Sequence, residues 1–234
     1  MAKAKAVVLC SGGLNSTVAA AMTQQQHTLA MLHVRFGHRA AEKEARLFAD
    51  QLEYFKPQQH LTIDMPHFAA IGGNARTSRK FAIEDARALG EARTNAYIPG
   101  LITTLLGAAY TWAGAIGANK IVLGVSEDLG PPAPKTSTLY PDFAREYIEL
   151  VSHAFLFASA QRPINVDTPI IDLERAEIIK LGNRLAAPFE MTWSCLSSAE
   201  QACGGCVGCS TRARGFVDAG IPDPILSREP AGIR

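Results

Sequence analysis

Short apolar runs alternate along this chain with longer segments in which apolar residues recur every three or four positions. Residues 6–10 and 28–36 are runs of the first kind, rich in Val, Leu and Met, and a segment with helical spacing follows each. They predict buried strands. The clearest helix is 38–54, where Ala41, Ala45, Phe48, Ala49 and Leu52 form one stripe while Glu42, Lys43, Glu44 and Arg46 are expected to face solvent. Residues 18–23 predict a helix directly after the first strand, 61–63 a weaker strand, 100–117 an apolar helix, 120–125 a strong strand and 164–166 a last short one.

Strands alternating with helix-sized connections predict an α/β fold: a Rossmann-like parallel sheet with helices on both faces, because right-handed crossovers need a helix between neighbouring parallel strands. In such a sheet ligands gather at the carboxyl ends of the strands. Two irregular stretches, 71–93 and 128–140 with Pro131, Pro132 and Pro134, are long enough to be lids or binding segments. The tail after Gly220 carries Pro222, Pro224 and Pro230 and is not expected to continue a helix.

The 234 residues fit one large domain, or one domain with a small appendage. They are 47% hydrophobic and 19% charged, with a formal charge of +1, which disfavours nucleic-acid binding. No residue between Arg93 and Lys120 is charged, but Pro99, four glycines and several threonines argue for a helix buried beside the sheet rather than a membrane span. The first apolar run is too short for a signal-peptide core, and the crowding of four cysteines into 195–209 suits a reducing compartment, so a cytoplasmic protein is expected.

The first strand runs into Ser11-Gly12-Gly13-Leu14-Asn15-Ser16-Thr17 and then into a helix. Two glycines allow a close backbone approach to an anion, the helix N-terminus offers unpaired N–H groups, and three hydroxyls add donors. Phosphate is the expected guest, although Ser-Gly-Gly also serves as an ordinary turn before a helix cap. There is no Walker lysine and no G-x-G-x-x-G pattern, so the common nucleoside-triphosphatase and dinucleotide loops are excluded.

Cys195, Cys203, Cys206 and Cys209 follow the spacing C-x7-C-x2-C-x2-C. Four thiolates so spaced point to a closed, structural zinc site, with an iron–sulfur cluster or a redox pair at Cys206 and Cys209 as the other readings. Cys10 ends the first strand beside the loop, and burial is its expected state.

The loop resembles the SGGxDS signature of the PP-loop family, which cleaves ATP to AMP and pyrophosphate while adenylating a substrate. With the cysteine cluster, the chain resembles the 7-cyano-7-deazaguanine synthase (QueC/ExsB) branch along nearly its whole length. Pro169, Asp172, Glu177 and Gly182 precede Thr192-Trp193-Ser194-Cys195; Arg212, Gly215-Phe216, Ala219-Gly220 and Asp223 follow the cysteines; Phe36-Gly37 with Glu42, and Tyr140-Pro141-Asp142 with Glu146, fall where its YGQ-x-x-x-E-like and YPD segments stand.

The resemblance implies a nucleotide-binding domain over 1–190 and a zinc-binding region, 191–234, packed on it. It implies a ligase that activates 7-carboxy-7-deazaguanine with ATP and Mg2+, admits ammonia to give an amide, and activates and dehydrates that amide to the nitrile for queuosine or archaeosine biosynthesis. Leu9, Cys10, Ser11, Gly12, Gly13, Leu14, Asn15, Ser16 and Thr17 are then the nucleotide-binding segment, with Ser11, Asn15 and Ser16 beside the reacting phosphate. Glu127, at the end of a strand, Tyr140 and Asp142 are substrate candidates. Trp193, His33 and His38 are expected to be structural, and a homodimer is implied.

Three departures stand out. Asn15 replaces the signature aspartate and is a poorer magnesium ligand. Ile98-Pro99-Gly100-Leu101-Ile102 stands where the family reads V-P-x-R-N, and Phe143-Ala144 follows Asp142 where it has Cys-Arg. Lys135, Arg79 and Arg145 are candidates for compensating charge. The departures open two further readings, a relative with a changed acid or amine partner serving defence or nucleic-acid modification, and a nucleotide-binding module without catalysis. A tRNA-thiolating relative is ranked last, since neither basic appendages nor a catalytic cysteine pair is visible.

Overall fold

A computed structural model describes residues 3–89, 93–128, 139–159, 162–197 and 200–225. Among them, β1 (Lys5–Leu9), β2 (Thr28–Arg35), β3 (Gln59–Asp64), β4 (Lys120–Leu123) and β5 (Asn165–Asp167) form one parallel sheet in the order β3-β2-β1-β4-β5. Helix α1 (Leu14–Gln26) joins β1 to β2, and α2 (Ala41–Phe55) joins β2 to β3. The chain then passes α3 (His67–Ile71) and α4 (Leu101–Ile116) and re-enters the sheet as β4 on the other side of β1. That reversal puts a crevice at the carboxyl ends of β1 and β4. Helix α5 (Arg145–Ala158) leads into β5, and α6 (Arg175–Arg184) and α7 (Val207–Ala219) complete the described chain.

Both faces of β1 are covered, which is why it reads as a continuous apolar run instead of an alternating one. Val7 and Leu9 pack with Leu32, Ile121 and Leu123 against Leu106 of α4 and Ile148 of α5. Ala6 and Val8 pack with Met31 and Val122 against Val18 of α1, Phe48 of α2 and Ile178 of α6. Edge strand β3 exposes every second residue or more, so its sequence signal is weak. None of the described helices is long and apolar enough to cross a membrane; the uncharged helix around 100–117 is α4, which buries Leu101, Ile102, Leu106, Ala109 and Ala113 against the sheet.

The face of α2 departs from the expected stripe. It buries Glu44, Leu47, Phe48, Gln51 and Phe55, while Glu42 and Ala49 stay exposed. Leu47 and the two phenylalanines remove far more apolar area from water than alanines do, so they set the helix rotation. Glu44 and Gln51 are carried inward with them, and each finds a polar partner: His38 Nε2 lies 2.7 Å from Glu44 Oε2, and Gln51 Nε2 donates to Thr17 Oγ1 at 2.9 Å and to the Met191 carbonyl at 2.8 Å.

The last described segment is not detached from the sheet. Phe216 of α7 is 2% exposed and meets Phe189 edge-on within the core under α1 and α6. Arg212 is anchored beside it by a two-pronged pair with Asp223 at 2.7 and 2.9 Å and a bond to Thr192 Oγ1 at 2.7 Å. Of the two irregular stretches, 71–93 contains a short 3-10 turn, Ala86–Ala88, and Asp85 bridges to Cys206; most of 128–140, with Lys135, lies outside the described residues.

Candidate active site

At the end of β1 the Cys10 amide is spent on the sheet, donating to the Leu32 carbonyl at 2.8 Å. The chain then turns at Gly12, whose φ of +74° suits glycine. Gly12 is buried, with its carbonyl accepting from Trp193 N–H at 2.8 Å and its bare Cα against α2, where a Cβ would lie 3.1 Å from the Glu44 carbonyl oxygen. Both glycines were expected to open toward an anion; Gly12 instead makes the turn, and Gly13 with the first turn of α1 forms the open side.

Helix α1 has no side-chain N-cap and no acidic residue in its first turn. Its opening amides, Leu14, Asn15 and Ser16, have no intrahelical acceptor by helix geometry, and the positive end of the dipole is unopposed. Ser11 and Ser16 brace the loop, their hydroxyls 3.2 Å apart, with Ser16 Oγ donating to the Gly13 carbonyl at 3.0 Å. Thr17 is fully buried and turned inward, donating to the Gly13 carbonyl at 2.9 Å. The helix can sit this close to β4 because residue 124 is glycine: a Cβ there would lie 2.7 Å from the Asn15 carbonyl oxygen.

The loop forms one end of a cavity of about 260 Å³. Leu9, Cys10, Ser11, Gly13, Leu14, Asn15 and Ser16 line it; Gly12 and Thr17 do not. Two cations that sequence reasoning missed also line it. Arg175, at the start of α6, donates from Nη1 to Asn15 Oδ1. Burial, and then repulsion from Arg212, lower its pKa to about 10, so it remains a cation at neutral pH; its Nε is buried without a protein partner among the described residues. Arg76 lies over the Phe36 ring at 5.1 Å. The signal for Arg175 was the capping box of Glu174 and Glu177 that opens α6 and fixes its first turn. Of the charges considered as compensation, Arg79 is exposed, and Arg145 pairs with Asp172.

All three motif departures meet in this cavity: Asn15 beside the loop, Leu101 and Ile102 at the start of α4, and Phe143 opposite. Tyr140 lines it too, stacked on Phe143 with centroids 5.2 Å apart, and burial pushes its hydroxyl up to about 12. The other two substrate candidates are not on its wall. Glu127 Oε1 accepts from the Arg145 amide at 2.7 Å and so caps α5. Asp142 is 2% exposed and accepts from the Ile102 amide at 3.3 Å, capping α4; burial raises its carboxyl above the ordinary range. Burial likewise pushes the Cys10 thiol far up, which leaves it unreactive.

Trp193, Ser194, Thr211 and Gly208 close the far side of the cavity and connect it to the cysteine cluster. The sulfurs of Cys195, Cys203, Cys206 and Cys209 all lie within 4.8 Å of one another, so the cluster could hold a metal ion. The amides of Leu196, Cys203 and Cys206 donate to the sulfurs of Cys206, Cys195 and Cys203 at 3.4 Å. His33 is fully buried, with Nδ1 bonded to the Cys10 carbonyl at 2.8 Å and the ring stacked on Phe48.

An amide cradle at a helix N-terminus, at the switch point of a parallel sheet and beside a guanidinium, defines a nucleotide-binding α/β protein of the PP-loop class. The chain belongs to the QueC family: the family described as "Queuosine biosynthesis protein QueC" matches residues 5–220. It is 39% identical to a 7-cyano-7-deazaguanine synthase of Koribacter versatilis over 226 residues, covering 94% of this chain and 92% of that one. It is 38% identical to a 7-cyano-7-deazaguanine synthase of Acidobacterium capsulatum, covering 94% and 95%. Among solved structures, the NMN synthetase of Francisella tularensis overlays with a TM-score of 0.46 at 12% identity, covering 94% of this chain and 79% of that one.

Proposed function

We propose that the chain is an ATP-dependent carbon–nitrogen ligase that adenylates the carboxylate of 7-carboxy-7-deazaguanine, converts it with ammonia to the amide, and activates and dehydrates the amide to the nitrile. The observation that carries this reading is the convergence of the opening amides of α1 and the Arg175 guanidinium on one end of the cavity, as a triphosphate and its transition state require. Ser11, Asn15 and Ser16 stand beside the reacting phosphate, and Asn15 holds Arg175 in place. Magnesium arrives with ATP. Tyr140 and Phe143 offer an aromatic wall to the flat heterocycle, and the apolar Leu101 and Ile102 exclude water from the acyl phosphate. Glu127 and Asp142 serve the substrate indirectly, by fixing the starts of α5 and α4.

We assign zinc to the cysteines. Tetrahedral Zn–S bonds separate neighbouring sulfurs by about 3.8 Å, and Cys203 and Cys209 sulfurs lie 3.9 Å apart. Four thiolates fill the shell, so the ion ties Cys195 to the Cys203–Cys209 segment within the zinc-binding region assigned to 191–234, beside a nucleotide-binding domain assigned to 1–190, and takes no part in bond making. A second copy of the chain is assigned to the apolar side of α5, where Leu150 and Phe157 are 70% and 88% exposed. The experiment that tests the function supplies the acid, ATP, magnesium and 15N-ammonium and follows products by mass spectrometry. The reading expects labelled nitrile and AMP; ATP consumption without the labelled nitrile contradicts it.

A further inference from the structure

Ammonia at neutral pH is almost wholly ammonium, which has no lone pair to attack an acyl adenylate, so a ligase that takes it from solution needs a proton acceptor at the site. The ionisable side chains that line the cavity are few. Arg76 and Arg175 are cations, and the Cys10 thiol and Tyr140 hydroxyl are held protonated by burial. Glu44 is the one carboxylate among the described lining residues. It sits beside the phosphate loop, its backbone against Gly12. Its Oε2 is bonded to His38 Nε2 at 2.7 Å, and Oε1 is given no protein partner by any hydrogen bond of the described residues.

His38 stands behind Glu44, away from the cavity, stacked on Phe36 with centroids 4.1 Å apart, and its Nδ1 is buried without a partner. The bond from His38 fixes the orientation of the Glu44 carboxylate from a side chain that does not line the cavity. Of the other charged groups nearby, His33 lies deeper in the sheet and Arg76 is across the Phe36 ring.

We propose that Glu44, backed by His38, binds the incoming ammonium and removes its proton for the amide-forming step. The inference rests on the ligase reading above. Ammonium gives one proton to the Glu44 carboxylate, held in place by His38; the freed nitrogen lone pair forms the C–N bond to the acyl carbon while the bond from that carbon to the AMP oxygen breaks. The extra proton on the new nitrogen leaves with the departing phosphate, giving amide and AMP, and Glu44 returns its proton to solvent.

The test compares the parent chain with Glu44→Gln, which keeps a hydrogen-bonding group toward His38, and with His38→Gln, which keeps a donor toward Glu44. Three readouts separate the roles: acid-dependent exchange of pyrophosphate into ATP, capture of the acyl adenylate by hydroxylamine, which is unprotonated at neutral pH, and amide formation from ammonium. Glu44→Gln is expected to lower the ammonium rate by roughly 100-fold with exchange and hydroxylamine capture retained, and the deficit shrinks as pH rises and supplies free ammonia. His38→Gln is expected to show a smaller loss confined to the same readout. Equal use of ammonium by Glu44→Gln and the parent overturns the inference, as does a loss spread equally over all three readouts, which would make Glu44 a structural or ATP-binding group. No exchange in the parent chain itself overturns the ligase reading and this inference with it.

Discussion

The side-chain oxygen of Asn15, one residue into α1, accepts a hydrogen bond from the guanidinium of Arg175 at the start of α6. An aspartate at that position would neutralise the arginine; the neutral amide orients it and leaves its charge for the phosphates. Arg175→Met is therefore expected to weaken binding of an unreactive ATP analogue by about 1.5–3 kcal/mol, the usual worth of a hydrogen bond to a charged group, with Arg175→Lys intermediate. Calorimetry at two salt concentrations checks this, and unchanged affinity in the methionine variant contradicts it.

The same pairing sets the sign for Asn15→Asp. The new carboxylate is expected to pair with Arg175 and repel phosphate, so affinity for ATP without divalent ion falls by about tenfold, while magnesium restores it. Titration with and without magnesium reads the difference; equal loss under both conditions would mean that position 15 acts through loop geometry alone.

Asp142 gives the pH dependence. Burial raises its carboxyl in the folded chain above the unfolded value. The stability it contributes is then fully present below the unfolded pKa of about 4 and is lost as pH rises through the folded value. Asp142→Asn, which keeps the acceptor for the Ile102 amide, is expected to gain stability relative to the parent between acid and neutral pH. Urea unfolding across that range measures it, and a pH-independent difference contradicts the account.

Arg212 and Asp223 are paired with side chains 7% and 5% exposed, and both hold the segment that returns beneath the cysteine loop. Asp223→Ala strands a buried guanidinium and is expected to cost about 3–5 kcal/mol. The exposed pair Arg35–Asp64, at 38% and 62%, is the control: Asp64→Ala is expected to leave stability nearly unchanged, because solvent screens the pair. Denaturant unfolding of both variants decides between them.

The cysteine cluster predicts one zinc per chain by metal analysis, and a lower melting temperature on removal by a strong chelator, to which the exposed Cys203 gives access. Because Trp193, Ser194 and Gly208 join the cluster to the cavity, affinity for ATP is expected to fall in the stripped protein. An iron chromophore would replace the zinc assignment.

The strands, the parallel sheet, the loop and the cysteine cluster were legible because their signals are local: an apolar run, a glycine turn, four cysteines in fifteen residues. What escaped was set by distant packing. Glu44 reads as a solvent-facing residue on α2 and is buried because Leu47, Phe48 and Phe55 outweigh the alanines opposite. Arg175 lies 160 positions from the Asn15 it touches, and no spacing along the chain signals such a pair. Helices α5, α6 and α7 were not anticipated; the buried face of α7 includes Thr211, Arg212 and Gly215 rather than an apolar stripe, and Gly215 lets it approach α6 so closely that a Cβ would lie 2.2 Å from Arg175. Glu127, just after a strand, and Asp142, in the Tyr140-Pro141-Asp142 segment, both read in sequence as substrate acids, and only the positions of α4 and α5 show that both are helix caps.

Exchange of labelled pyrophosphate into ATP, measured with and without 7-carboxy-7-deazaguanine and before any amine is added, tests the central claim most directly. The account predicts exchange that requires the acid and magnesium and is lost in Arg175→Met. Absence of acid-dependent exchange in the parent chain with every divalent ion tried would contradict it.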